Sequence, residues 1–192
     1  MKRNDHLALA AWLVRSCPER WTNRTLRTAF YAGAILPDSN PATYLRGITQ
    51  TWCPKGHNTE CSYPLVRRLL GELRRSGIGT VLQAYRLGTL FHYLADACTY
   101  PHTKEFHGNI AVHNRYERAL HRVFPAALRA ADRAVPVPAD PERFLRSVYA
   151  SQVSLEHSPA QDAARIIRVC AQIWGSVFQE SAGKYPILNK KS

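Results

Sequence analysis

The sequence predicts an all-α protein. Apolar residues recur at intervals of three and four through most of the 192 residues, which is the period of an amphipathic helix. Alternating, β-branched runs bounded by turns, which indicate strands, are not found. Prolines and small polar residues stand where the periodic stretches end and begin. We therefore expect one multi-helix bundle, with residues 1–192 forming a single domain.

Seven helices follow from this pattern, and prolines define several of their ends. Pro18 ends the first helix, Pro37 the second and Pro101 the fourth, because proline lacks a backbone donor and restricts the residue before it. Residues suited to N-caps stand at Ser62, Asp140 and Ser158. The expected helices are Asp5–Ser16, Thr22–Ile35, Tyr63–Arg75, Gly79–Cys98, Ile110–Arg133, Pro141–Glu156 and Pro159–Ala182.

Two long connections separate these helices, Pro37–Ser62 and Thr99–Asn109. Both are rich in histidine, aspartate, proline and aromatic residues rather than in disorder-promoting repeats. Long loops within a compact domain are usually functional when they are not disordered. We expect the functional side chains to lie on or beside these two loops.

Charge and cysteine content indicate the partners and the compartment. The 26 Lys and Arg residues against 14 Asp and Glu residues give a net charge of +12, which favours phosphates, nucleic acids or acidic lipid surfaces. No apolar run approaches the roughly 18 residues that a membrane span needs. The 5 cysteines are odd in number and irregularly spaced, which argues against a complete disulfide framework. We therefore expect a cytoplasmic protein.

Two histidine–carboxylate pairs give the strongest chemical signal. His92 and Asp96 are four residues apart in the fourth predicted helix, and His113 and Glu117 repeat that spacing in the fifth. Residues four apart project from one face of a helix, so each pair can bind one divalent ion. A proline ends the helix between the pairs and lets His102 fold back toward the same ions.

The ordinary interpretation of either pair alone is a side-chain contact on a helix surface. Two pairs joined by a Pro-His loop indicate more, because the sequence around Asp96 is apolar and a buried carboxylate needs a partner. Metal ions would supply that partner. Asp38 and His57, in the first long loop, are further candidates, although a turn-forming aspartate and an exposed histidine are the ordinary interpretations.

A rival metal site is formed by Cys53, His57 and Cys61, which are evenly spaced by four residues. Thiolates with imidazole suit a structural zinc, but a fourth ligand is not apparent. A disulfide between Cys53 and Cys61 is the alternative in an oxidising compartment.

The candidate ligands follow one another in the order found in a known family: His6, Pro37-Asp38, Gly56-His57, His92-x-x-x-Asp96-x5-His102 and His113-x-x-x-Glu117. This set resembles the zinc-dependent phospholipases C, whose fold is shared with the three-zinc nucleases of the P1 type. The resemblance implies that one zinc is held by Asp38, His57, His92 and Asp96. It implies that a second is held by His102, His113 and Glu117, and that a third lies at His6 and a bridging Asp96.

The resemblance implies a hydrolase of phosphodiesters that uses two or three Zn²⁺ ions. A zinc-bound hydroxide would attack phosphorus in line, and Asp38 would orient or deprotonate the attacking water. The expected substrate is a phosphate ester, including phospholipid at a membrane surface. The final ligand, Glu117 rather than an aspartate, is more like the phospholipase branch than the nuclease branch.

Two other functions remain as alternatives. One is a P1-type single-strand nuclease or nucleotidase, which the positive charge favours. The other is a non-catalytic interaction protein that keeps zinc for folding. The resemblance also bears on Met1: in secreted relatives the amine and carbonyl of the mature N-terminus complete the third zinc site, and Met1 lies five residues before His6.

Overall fold

The computed structural model describes residues 1–16, 21–39, 59–151 and 157–184. Within these ranges the chain is α-helical with two short 3-10 turns and no strand, which confirms the predicted all-α class. None of the described helices is both long and apolar enough to cross a membrane. The α-helices are α1 (Arg3–Arg15), α2 (Arg24–Ile35), α3 (Thr59–Ser76), α4 (Val81–Ala97), α5 (Ile110–Ala130), α6 (Pro141–Ser151) and α7 (Pro159–Lys184).

Capping residues explain where several helices begin. Asp140 and Ser158 accept hydrogen bonds from backbone N–H groups in the first turns of α6 and α7, as predicted. Thr80 caps α4 through a reciprocal pair of bonds with the residue three positions later. The prediction of Ser62 as an N-cap was wrong, because α3 already begins at Thr59 and Ser62 lies within its first turns.

A single buried apolar cluster receives side chains from all seven helices. At its centre the ring of Trp174 lies 5.4 Å from that of Phe30 and 5.5 Å from that of Phe91. Aromatic pairs at such separations add to the stabilisation from area burial. These contacts fix α2, which leads into the turn of Asp38, and α4, which carries His92 and Asp96, against α7.

Helices α2 and α4 approach closely because each has a glycine at the contact. A Cβ atom at Gly33 would overlap the carbonyl oxygen of Tyr85, and one at Gly88 would overlap the backbone of α2. The two backbones therefore touch without intervening side chains. This contact brings the end of α2 against His92, whose Nδ1 lies 3.0 Å from the carbonyl oxygen of Ala34.

Replacement of Gly88 by alanine should force the two helices apart. Overpacking against rigid backbone costs about 3 kcal/mol, the upper end of the usual range. That cost exceeds the ~1 kcal/mol that alanine gains over glycine inside a helix. We expect Gly88→Ala to lower the free energy of unfolding in urea by about 2 kcal/mol. Gly79→Ala is the control, because a Cβ there meets only a flexible glutamine side chain; equal effects would contradict the prediction.

Candidate metal centre

Seven of the eight predicted ligands lie together at one end of α4: His6, Asp38, His92, Asp96, His102, His113 and Glu117. The eighth, His57, lies outside the described residues. So does Cys53 of the rival structural site, and the side chain of Cys61 is not described. The binding of zinc by these residues stays a prediction, but their convergence is a property of the fold.

The first cluster combines three elements that are distant in the sequence. His6 of α1, Asp38 of the 3-10 turn that follows α2 (Leu36–Ser39), and His92 of α4 each place a ligand atom within 4.8 Å of the others. The rings of His6 and His92 stack with centroids 4.1 Å apart. The Nδ1 proton of His92 is held by the carbonyl of Ala34, so Nε2 is the nitrogen that faces Asp38, 3.4 Å away.

The second cluster contains His102, His113 and Glu117, whose ligand atoms also lie within 4.8 Å of one another. His113 and Glu117 are one turn apart on α5, and Nε2 of His113 lies 3.1 Å from Oε1 of Glu117. His102 ends the 3-10 turn Tyr100–His102, and its Nε2 lies 4.0 Å from the same oxygen. The predicted return of His102 toward the pairs is therefore what the fold shows.

Asp96 lies between the two clusters. Its Oδ2 is 3.3 Å from Nε2 of His92, and its Oδ1 is 3.2 Å from Nε2 of His6. The same Oδ1 is 4.0 Å from Nε2 of His102 in the second cluster. One buried carboxylate therefore faces imidazoles of both clusters, as a bridging ligand would.

The amine of Met1 reaches this centre. Its nitrogen lies 2.9 Å from Oδ1 of Asp96 and 2.9 Å from Oε1 of Glu117, and it is completely buried. Burial lowers the pKa of the amine, but the two carboxylates outweigh this effect and raise the pKa to about 11. The terminal nitrogen therefore lies between the two clusters, paired with Asp96 and with Glu117 of the second cluster; its role as a metal ligand stays a prediction.

The carboxylates of the centre are ionised. Burial raises the pKa of Asp96, but nearby positive charge, that of the Met1 amine above all, outweighs burial and holds the pKa well below its ordinary range. Burial likewise raises the pKa of Glu117, and the hydrogen bond with His113 and the Met1 charge bring that pKa down to about 2. Metal ligation requires ionised carboxylates.

Two of the imidazoles, those of His6 and His102, are neutral because burial dominates their pKa values. Burial lowers the pKa of His6, and it lowers the pKa of His102 to about 3, because a charged ring loses its hydration there. The Nε2 atom of His6 is buried and lies 3.2 Å from Oδ1 of Asp96. Neutral imidazole nitrogens beside ionised carboxylates are the donor set that zinc prefers, so the residues fit this ion.

Sequence reasoning missed the buried carboxylate of Asp5, which precedes His6. Its Oδ1 lies 2.7 Å from Nδ1 of His121, and this contact ties α1 to α5 beside the centre. The available signal was the continuation of the four-residue series from His113 through Glu117 to His121. Asp5 itself had no signal, because its partner is 116 residues away.

Comparison with known proteins gives one family. A family model described as zinc dependent phospholipase C matches residues 5–173, a range that contains all eight predicted ligands. No match was found among curated proteins or among solved structures.

The metal-free protein should lose stability in acid through Glu117. Its pKa falls from an ordinary 4.5 to about 2, so its contribution is complete above pH 4.5 and disappears as the pH falls toward 2. The raised Met1 amine acts in the opposite direction: its contribution is complete below pH 8.0 and is lost as the pH rises toward 11. Urea unfolding with a chelator present, repeated across this pH range, gives the free energy of unfolding as a function of pH. It should fall on the acid side because of Glu117 and on the alkaline side because of Met1.

In these measurements Glu117→Gln should lose less unfolding free energy between pH 4.5 and pH 2 than the unchanged chain does. Glu142→Gln is the matched control, because that carboxylate is 43% exposed and pairs with Arg67 in a surface contact. If Glu117→Gln lost as much unfolding free energy in acid as the unchanged chain, the Glu117 carboxylate would not be stabilised by its neighbours.

Proposed function

The chain belongs to the zinc-dependent phospholipase C family, and we propose that it hydrolyses phosphodiesters, with phospholipid at a membrane surface as its substrate. The observation that supports this most is the position of Asp96, a buried carboxylate that faces histidines of two adjacent clusters. Such an arrangement suits a pair of ions acting on one phosphate.

We assign the ions as follows. Asp38, His92 and Asp96 would hold one zinc, and His102, His113 and Glu117 would hold a second. His6 would join Asp96 at a third ion where three are bound. His57 remains a proposed ligand beside Asp38. Bound zinc would supply a nucleophilic water at neutral pH and would neutralise charge developing on the phosphate.

The exposure of the ligands favours a catalytic centre over a structural one. The side chains of His6, His92 and Asp96 are at most 1% exposed. Asp38 is 29% exposed, and Glu117 is 18% exposed. Structural zinc sites are usually closed, whereas catalytic sites keep an open side for substrate.

Asp38 is the proposed catalytic carboxylate. It is the most exposed of the three carboxylates, and its position after α2 places it at the edge of the first cluster. Burial raises the pKa of Asp38, but the hydrogen bond with His92 outweighs it and lowers the pKa, so the group is ionised and can accept a hydrogen bond from water. Its role is to orient the attacking water or to take its proton.

Apolar side chains beside the open ligands favour a lipid substrate. Leu36, two residues before Asp38, is 41% exposed. Ile110 and Val112, just before His113, are 68% and 45% exposed. Exposed apolar residues next to a charged centre are typical of proteins that contact a membrane surface, and the net charge of +12 favours acidic headgroups.

Zinc content and hydrolysis of phosphate esters test the proposal. We expect the purified chain to bind zinc and to hydrolyse bis-p-nitrophenyl phosphate and phospholipid vesicles. His92→Ala should lower the rate by at least about 100-fold, since it removes a ligand of the first cluster. His107→Ala is the matched control, because this exposed histidine belongs to neither cluster.

Full zinc occupancy without turnover of any ester would contradict the enzymatic proposal and would favour the zinc-stabilised interaction protein. Faster hydrolysis of single-stranded DNA than of lipid would favour the nuclease alternative instead.

The apolar residues before His113 allow a separate test of lipid contact. Ile110→Ser with Val112→Ser should lower hydrolysis of vesicles by about 10-fold or more while leaving the soluble ester unaffected, because only the membrane contact is lost. The control is Val81→Ser with Leu82→Ser, a pair that is 51% and 56% exposed at the opposite end of α4. A similar loss in both double variants would exclude a specific membrane-contacting edge.

A further inference from the structure

A further buried carboxylate, Asp162 in the first turn of α7, lies outside both clusters and is 0% exposed. Its Oδ2 accepts hydrogen bonds from the backbone N–H of Tyr100 at 2.8 Å and from the hydroxyl of Tyr116 at 2.6 Å. Its Oδ1 lies 2.9 Å from Nδ1 of His157 and 3.0 Å from the guanidinium of Arg165. The last two residues compensate the burial of its charge.

The two residues bound by Oδ2 belong to the elements that carry the second cluster. Tyr100 begins the 3-10 turn that ends at His102. Tyr116 stands between His113 and Glu117 on α5. A single oxygen atom of α7 therefore joins the turn to the helix.

Backbone hydrogen bonds within the turn connect Tyr100, which Asp162 holds, to His102. The backbone N–H of His102 donates to the carbonyl of Thr99 at 3.0 Å, and that of Thr103 donates to the carbonyl of Tyr100 at 3.0 Å. Fixing the N–H of Tyr100 thus fixes the start of the turn. The rings of Tyr100 and Tyr116 also pack against each other, with centroids 5.8 Å apart.

We propose that Asp162 is a positioning residue for the second cluster and that, through Tyr100 and Tyr116, it sets the place of His102 relative to the ligands on α5. This rests on the proposed function, because it assumes that the second cluster binds an ion. A charged acceptor suits the task, since hydrogen bonds to a carboxylate are roughly twice as strong as neutral ones.

The two clusters provide an internal comparison. The ligands of the first cluster come from α1, the turn after α2, and α4, and none of these elements supplies a hydrogen bond to Asp162. A loss of positioning should therefore weaken the second ion and spare the first. General destabilisation of the fold would weaken both.

Titration of the metal-free full chain with Co²⁺ tests the proposal, with visible absorption used to follow each ion and His92→Ala used to identify the first one. We expect Asp162→Asn and Tyr116→Phe to lower the affinity for the second ion roughly 10- to 100-fold and to leave the first within error, as for other residues that orient ligands. Tyr116→Phe keeps the test available if Asp162→Asn does not fold.

The matched control is Tyr149→Phe. It removes a half-buried hydroxyl that lies 3.2 Å from Oγ of Ser62, between α6 and α3, neither of which carries a ligand of the second cluster. Unchanged affinity for the second ion in the Asp162 and Tyr116 variants would overturn the proposal. Equal weakening of both ions, or the same effect in the control, would also overturn it.

Failure of the proposed function would give a different result, namely no uptake of Co²⁺ by the unsubstituted chain. Amide hydrogen exchange of the metal-free protein then tests whether Asp162 holds the turn of His102 through Tyr100 and Tyr116. Faster exchange at the amides of His102 and Thr103 in Tyr116→Phe, but not in Tyr149→Phe, supports it. Equal exchange in the two variants overturns it.

Discussion

The buried charge of Asp96 is the constraint on which the rest of the centre depends. A carboxylate that is 1% exposed costs several kcal/mol unless positive or polar groups surround it. The fold meets this requirement from three directions: the Met1 amine, His6 on α1 and His92 on its own helix. Because these partners come from distant parts of the chain, satisfying one carboxylate also fixes the packing of α1 against α4.

The sequence allowed the helices and most of the candidate ligands to be predicted because those signals are local. Proline stops, N-caps and the three-to-four-residue period act within a few positions, and all seven predicted helices are present, most of them close to their expected bounds. The predicted stop at Pro18 and the predicted end of the sixth helix at Glu156 lie outside the described residues. The pairs His92 with Asp96 and His113 with Glu117 are also local, since a four-residue spacing on a helix fixes the shared face. The start of α3 was misplaced because Ser62 has a side chain suited to an N-cap, while the helix begins upstream at Thr59.

Contacts between distant residues left no such signal. The Met1 amine meets Asp96 across 95 positions, and Tyr116 meets Asp162 across 46. The sequence indicates that Asp96 needs a partner, because its neighbours in the chain are apolar, but it does not show which residue that partner is. The close approach of α2 and α4 is also a contact between distant residues. In the sequence Gly33 and Gly88 are two ordinary helical glycines, and only the fold shows that they lie in contact.

The spread of ligands along the chain also sets an order of assembly during synthesis. The residues of the first cluster have all been made once α4 is complete, whereas the second cluster needs α5 as well. Asp162, which joins the turn of His102 to α5, follows only when α7 begins, some 45 residues after Glu117. During synthesis the residues of the first cluster can therefore come together before those of the second cluster. The final position of His102 is reached only after α7 packs against the rest of the protein.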